Sequence, residues 1–502
     1  MTKTWSHSWF DFVPIRSRKV AARKLISWRI ACLIFAFCTA TAISSAQKLT
    51  TLASFDGADG NDPYTMSLVQ GFDGNLYGTT HAGGTAGRGN VFKVTPTGVV
   101  TLLYSFCSQP NCVDGSVPEA GLVQATDGNL YGMTYQGGNG AGTVFRITAS
   151  GTLTTLYSFC SQVSCDDGTF PSAALMQASN GKFYGTTSKG GANGYGTVFE
   201  VTPAGKLTTL YSFCSQTTCT DGEYPYAGLV QATNGNFYGT TYGGGANGGG
   251  TVFELTPKGG LTTLYSFCSQ TPHCTDGEFP FAGLVQATNG SFYGTTSGGG
   301  ANGSGTIFEL TPDGKLTSLY SFCSQTHCTD GSYPYAGLVQ ATDGNFYGTT
   351  NEGGAGAGPC GNCGTVFAIR PAGALTTLHA FGGKPDGDYP YGGLVQATNG
   401  NLYGPTWSGG EFNDGVVFAL TVGLKPFVET LPTSGKAGRT VIILGNNLTG
   451  TTSVTFSGTA ATFTVVSDTE IKTTVPTGAG TGTVEVITPS STLKSNVVFR
   501  VR

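Results

Sequence analysis

Residues 227–267 read AGLVQATNGNFYGTTYGGGANGGGTVFELTPKGGLTTLYSF, four short β-prone runs separated by glycine turns. Strand a is expected over about 227–233, after which Asn234-Gly235 turns the chain into strand b at about 236–241. A loop from Gly243 to Gly250 leads to strand c at about 251–256, and Pro257-Lys258-Gly259 leads to strand d at about 261–267. Asn-Gly between β-prone runs is a strong hairpin signal, because both central residues must tolerate positive φ. The runs are apolar on both faces, which suits sheets packed on two sides.

The tetrapeptide of strand b, Tyr-Gly-Thr-Thr or a near variant, begins at Tyr77, Tyr131, Tyr184, Tyr238, Tyr293, Tyr347 and Tyr403, at intervals of 54, 53, 54, 55, 54 and 56 residues. Seven four-stranded units fit a β-propeller, and the chain ends favour a closed ring over an open solenoid. Residues 48–55 (KLTTLASF) form a strand d with no a, b or c before it, while the seventh unit ends after strand c at Val416 to Thr421. The orphan strand is expected to complete the last unit and so remove exposed edges. After residue 425 cysteine is absent and short Val, Ile and Thr runs recur, among them Val441-Ile-Ile-Leu444 and Val484-Glu-Val-Ile487. That spacing reads as a β-sandwich. The expected fold is all-β: a seven-bladed β-propeller over 47–422, closed by the N-terminal strand, then a small Ig-like β-sandwich over 425–502.

Composition narrows the function classes. The 79 glycines follow no three-residue period, which excludes collagen, and 11% aromatics argue against disorder. Residues 1–46 read as an export signal, with seven basic residues, an apolar stretch from Ile30 to Ile43 and small residues before a cleavage point after Ala46. Fourteen apolar residues are too few to span a bilayer, and no transmembrane segment is expected. Removing seven of the 25 basic and one of the 29 acidic residues leaves 18 and 28, a net charge near −10. That sign opposes nucleic acid as a partner.

Strand order separates two faces. The a–b and c–d turns are short, so one face is expected to be plain. The long b–c and d–a loops share the other, where a rigid scaffold would present binding residues. Each d–a loop carries Asp-Gly-x-x-Pro, at Asp59, Asp114, Asp167, Asp221, Asp276, Asp330 and Asp386. Its aspartate is read as capping its own turn, since catalysis needs an asymmetric arrangement. A glutamine in each strand a (Gln70, Gln124, Gln177, Gln231, Gln286, Gln340, Gln396) is read as bonding between blades or lining a channel. Twelve cysteines fall into six local pairs: Cys107/Cys112, Cys160/Cys165, Cys214/Cys219, Cys268/Cys274, Cys323/Cys328 and Cys360/Cys363. The first and last d–a loops lack both partners together, which argues for disulfides rather than metal ligands. No metal and no cofactor is expected.

Aromatic residues are the binding candidates. Tyr224/Tyr226, Phe279/Phe281, Tyr333/Tyr335 and Tyr389/Tyr391 flank the loop proline in four consecutive units, and Tyr135, Tyr242 and Trp407 follow strand b where other units carry His81, Ser188, Ser297 or Asn351. Exposed rings beside Asn, Asp and Gln suit the apolar faces and polar rims of sugars, while packing between blades is the competing role. No catalytic residue is assigned. An enzyme would draw on unit-specific groups such as His81, Arg88, Glu119, Glu352, Glu411 and Asp414.

The repeat, with Leu-Tyr-Gly-Thr-Thr, Gly-Gly-x-x-Asn-Gly-x-Gly-Thr-Val-Phe-Glu-Leu-Thr-Pro and Leu-Thr-Thr-Leu-Tyr-Ser-Phe, resembles the GloVer-type (choice-of-anchor) tandem repeats of secreted bacterial proteins over about 48–421. The resemblance implies a terminal surface anchor, which is not expected after Val501-Arg502. Pro432-Thr-Ser-Gly435, Val454-Thr-Phe456 and Ser467-Asp-Thr-Glu-Ile471 resemble an IPT/TIG Ig-like domain, which implies a spacer or interaction module. The expected role is a secreted or cell-surface binding protein, with an extracellular glycan or a surface protein as partner. A polysaccharide-active enzyme and a structural envelope protein are the alternatives. Export predicts a mature chain beginning at Gln47, which N-terminal sequencing of the secreted protein checks; a product still starting at Met1 refutes it.

Overall fold

In a computed structural model of the chain, which describes residues 47–63, 67–270, 272–355 and 361–502, the quoted repeat forms strands Val230–Gln231, Phe237–Thr241, Thr251–Leu255 and Leu261–Ser266. They pair in sequence order as one antiparallel sheet. Six such sheets span 69–105 (sheet I), 123–158 (II), 176–212 (III), 230–266 (IV), 285–321 (V) and 339–380 (VI). Sheet VII combines 395–421 with the N-terminal strand Lys48–Ser54, which pairs antiparallel with Val416–Thr421. The expected export segment, residues 1–46, lies outside the described residues. Among those described there is no α-helix, only single 3₁₀ turns such as Thr217–Cys219 in the d–a loops.

The N-terminal strand carries a specific mark of its origin. In sheet IV the register slips past Leu264, since Val252 faces Tyr265 and Phe253 faces Thr263. The same bulge skips Leu52 in the first strand, where Phe418 faces Thr51 and Val417 faces Ala53. One extra residue on the outer strand kinks it and strengthens its twist, and Lys48–Ser54 reproduces this feature of a strand d.

Each letter of Tyr-Gly-Thr-Thr has its own task. The ring of Tyr238 stacks on Phe292 of the next sheet at 4.2 Å, and Tyr131, Tyr184 and Tyr293 stack likewise on Phe183, Phe237 and Phe346. Its hydroxyl receives a hydrogen bond from Asn234, so the a–b turn is tied to strand b. A Cβ on Gly239 would lie 2.7 Å from the Phe253 ring and 2.9 Å from Leu229, which leaves room for glycine alone. Thr240 Oγ1 donates to the Ala282 carbonyl of the next sheet at 3.0 Å, and Thr79, Thr186, Thr295 and Thr349 repeat this bond. Met133 and Pro405 occupy this position in sheets II and VII. Thr241 Oγ1 shares a bond with Thr251 and donates to the Gly243 carbonyl, which fixes the start of the b–c loop.

Strand a is two residues long where the sequence suggested seven. The reason is the sheet before it: the Ala227 carbonyl accepts from Thr186 of sheet III instead of a ladder partner. The small residues stand where sheets approach closely, since a Cβ on Gly228 would lie 3.0 Å from the Ala174 carbonyl. Six of the seven glutamines bond between sheets as read, while Gln124 donates within its own sheet, to Ala125 and Asn129. Gln177, Gln231, Gln286, Gln340 and Gln396 each accept from a backbone N–H of the preceding sheet, and Gln70 of sheet I accepts from Thr398 of sheet VII at 2.9 Å.

The C-terminal region contains two four-stranded sheets, ordered Glu429–Leu431, Thr440–Leu444, Glu470–Thr474, Phe463–Val465 and Thr459–Ala460, Ser453–Phe456, Val484–Ile487, Thr492–Lys494. They bury one common core that includes Val441, Ile443, Ile471, Val454, Phe456, Val484 and Val486. Replacing Thr240 by Val should leave the Ala282 carbonyl buried and unbonded, lowering stability by about 1–3 kcal/mol in urea unfolding. An unchanged midpoint would show that these inter-sheet bonds contribute nothing.

Candidate functional site

The d–a and b–c loops lie on one side of every sheet, joined by the bridges Asn61↔Ala82, Ser116↔Gln136, Thr169↔Lys189, Glu223↔Gly243, Glu278↔Gly298, Ser332↔Glu352 and Asp388↔Ser408. Asp221 is fully buried beneath this surface. Its carboxylate accepts from the Tyr211 hydroxyl at 2.8 Å, from Ser215 N–H and Oγ, and from Gln216 N–H. It therefore ties strand d to its own loop. Disulfides Cys107–Cys112, Cys160–Cys165, Cys214–Cys219, Cys268–Cys274 and Cys323–Cys328 close the loops. Each constrains the unfolded chain by about 2 kcal/mol on a chain-entropy account, and together they place the chain in an oxidising compartment. Cys363 is disulfide-bonded, and its expected partner Cys360 lies outside the described residues.

The residue before the loop proline has positive φ in every unit: Asp62, Val117, Phe170, Tyr224, Phe279, Tyr333 and Tyr389. That backbone is costly for a branched or aromatic residue, so neighbouring structure must hold it. The holder is the b–c loop of the preceding sheet, as in Tyr224 N–H to the Tyr195 carbonyl and Phe279 N–H to the Gly249 carbonyl. Asp62 N–H reaches the Asp414 carbonyl of sheet VII in the same way.

Held like this, the post-proline side chains of four successive sheets form an arc. Tyr226 stacks on Phe281 at 5.2 Å, Phe281 meets Tyr335 edge-on at 5.6 Å, and Tyr335 stacks on Tyr391 at 5.0 Å. Trp407 closes the arc against Tyr391, while Tyr242 packs on Phe279 and Tyr226. Most of the candidate rings are consequently spent on one another. Tyr135, Tyr224, Tyr226, Tyr242, Phe279, Phe281, Tyr335, Tyr389 and Tyr391 are half-buried, and only Tyr333 (36%) and Trp407 (39%) are exposed. Ring-to-ring packing locks the loops and accounts for the series as a whole.

In sheets I to III some of the equivalent positions are polar. Sheets II and III carry Glu119 and Ser172 where sheet IV has Tyr226, and sheet I carries His81 where sheet IV has Tyr242. His81 Nδ1 lies 3.7 Å from Glu119 Oε1, and the Glu119 side chain is 19% exposed. Burial pushes the Glu119 carboxyl up to about 7 and pulls the His81 imidazole below its usual range, so burial favours the neutral form of each group. Ser172 (9% exposed) and Asn351 (5% exposed) have a buried Oγ and Nδ2 with no hydrogen-bond partner in the protein. Of the acid–base candidates only His81 and Glu119 come together; Arg88, Glu352 and Glu411 are exposed on separate loops, and Asp414 lies near Asp62. Ser172 was not singled out by its sequence. Its departure from the repeat at an aromatic position was the available signal.

The other face is not plain. Thr469 Oγ1 donates to the Phe72 carbonyl at 2.7 Å and Asn446 Nδ2 donates to Thr398 Oγ1 at 2.6 Å, so the C-terminal sheets sit on the a–b turns. A cleft of about 650 Å³ remains between them, lined by Asp73, Asp127, Asp468 and Lys472 among others. Short turns predicted an empty surface, yet short turns are what let a second domain approach. On the loop face, Glu119 favours its protonated form in the fold, so stability should fall between about pH 4.5 and 7. At about pH 8 Glu119→Gln should be more stable than the parent, by at most about 3 kcal/mol, and the gain should vanish near pH 4; equal urea midpoints at both pH values would refute the desolvated carboxyl.

No protein of curated function matches the sequence. Similar solved structures include a provisionally named 6-phosphogluconolactonase from Bacteroides uniformis, at 17% identity and a TM-score of 0.42 over 66% of this chain and 88% of that one. A protein of unknown function from Bacteroides thetaiotaomicron (11%, 0.38, 75% and 99%) and a luciferin-regenerating enzyme (12%, 0.38, 60% and 89%) are similar at the same level. These scores carry no argument about activity. The Gloeobacter/Verrucomicrobia repeat matches residues 36–177, 108–286, 160–356 and 269–466, which together span most of the sequence. The chain belongs to the Gloeobacter/Verrucomicrobia repeat family.

Proposed function

We propose that this protein is a secreted or cell-surface binding protein that recognises glycans on the loop face of a closed, seven-bladed β-propeller. Closure is supported by the bulged N-terminal strand in sheet VII and by the Gln70–Thr398 and Asp62–Asp414 bonds, which copy those between consecutive sheets. The C-terminal sheets are read as an Ig-like domain of IPT/TIG type that spaces or presents the propeller. Export through residues 1–46 agrees with the disulfide-closed loops.

The observation that carries the binding role is Trp407, a 39% exposed indole at the end of the aromatic arc. An indole held by Tyr389 and Tyr391 offers a rigid apolar plane with little entropy left to lose on stacking. The enzyme reading has less support, because His81 and Glu119 are the only acid–base candidates in contact. Glycan-array binding by the mature protein tests the proposal. Trp407→Ala should abolish binding with an unchanged melting temperature, whereas retained binding removes the site from this face.

A further inference from the structure

Repetition within one chain separates what the fold requires from what it merely permits. The post-proline position accepts aromatic rings in four consecutive sheets, so Glu119 and Ser172 are not demanded there by packing. Their burial is unfavourable without partners. Glu119 has His81 at 3.7 Å, and Ser172 Oγ is buried with no partner in the protein. A buried polar group left unbonded destabilises the fold, and a buried carboxyl does so more unless it is protonated. Natural sequences break local consistency mainly at functional or strained sites.

The departures are grouped in space. His81 belongs to sheet I, Glu119 to II and Ser172 to III, three consecutive sheets. Post-proline residues of consecutive sheets neighbour one another in the arc, so Glu119 and Ser172 continue the line that Tyr226 begins. Tyr135, from sheet II, packs on Phe170 at 5.0 Å. The loop face therefore sets acceptors and donors beside aromatic rings.

The geometry points to a polar seat made by His81, Glu119 and Ser172 that takes the hydroxyl edge of a neutral sugar ring whose apolar face rests on Trp407, the exposed end of the aromatic arc. The assignment rests on the glycan reading above and narrows it to a ligand class and a subsite. Hydroxyls suit the seat because each donates and accepts, and so serves both the Glu119 carboxyl and the Ser172 hydroxyl. Anionic sugars do not suit it, because the loop face also carries Glu352, Asp62 and Asp414 and the mature chain has a net charge near −10.

The test compares the full mature protein with Glu119→Gln, Ser172→Ala, Glu119→Tyr and Trp407→Ala, titrated calorimetrically with neutral hexose and pentose oligosaccharides and with uronic-acid oligosaccharides. Neutral oligosaccharides should bind and uronic-acid ones should not. Glu119→Gln and Ser172→Ala should each weaken binding roughly tenfold. Glu119→Tyr installs the residue that the repeat itself uses, so it should abolish binding while holding or raising the melting temperature. Loss of binding in Trp407→Ala with full binding in all three seat variants overturns the seat and leaves glycan recognition standing. Binding of uronic-acid oligosaccharides alone overturns the neutral class, and binding of none of the probes overturns both. A melting temperature several degrees lower in Glu119→Tyr shows that Glu119 is structural and overturns the seat without any ligand.

Discussion

The pairing of Lys48–Ser54 with Val416–Thr421 is the constraint on which the rest of the repeat region depends. An array of four-stranded sheets leaves one unpaired strand edge at each end, and such edges recruit other chains. Here the repeat is cut one strand out of phase, so the strand Lys48–Ser54 is needed by the last sheet. The bulge at Leu52 shows that this is not opportunistic pairing, since it reproduces the kink of every other strand d. The edge residues Thr398 and Asp62 then meet partners of the same kind as their counterparts in the middle of the array.

Within that frame, contacts between sheets do most of the holding. Tyr-Gly-Thr-Thr is usually read as a strand signature, but two of its four residues act outside their own sheet: the tyrosine ring and the first threonine hydroxyl both reach the next one. Strand a is short for the same reason, since its backbone serves the neighbouring sheet before its own. The positive-φ residue before each loop proline is another instance. Its strain is maintained by a bond from the preceding b–c loop, so loop conformation and sheet packing stabilise each other.

This coupling explains why the loop face divides into two kinds of position. Asp221 and the cysteines have their interactions supplied by their own loop and the strand d before it; the aspartate recurs in every d–a loop and the disulfide in five of them. Post-proline and post-strand-b positions are set by the same backbone but packed against variable neighbours. There the chain holds Tyr226, Phe281, Tyr335 and Tyr391 on one side and Glu119 and Ser172 on the other. An identical scaffold with unlike side chains is how a symmetric fold acquires an asymmetric surface.

Local periodicity was enough to determine the strands, the seven units, the cysteine pairs and the missing strand d, because hairpins and short disulfides depend on residues close in sequence. The glutamine bonds were legible too, since one residue type in a fixed register meets an equivalent neighbour in six of the seven sheets. Burial and convergence were not legible. Tyr226 and Tyr335 looked like exposed candidates until packing showed each ring covered by the next. Glu119 and His81 stand in different units and touch only because consecutive sheets bring their loops together, and the a–b turns looked bare until the C-terminal sheets were placed on them. A repeat records what each unit needs for itself, whereas which unlike residues of different units meet is decided only when all the units are assembled.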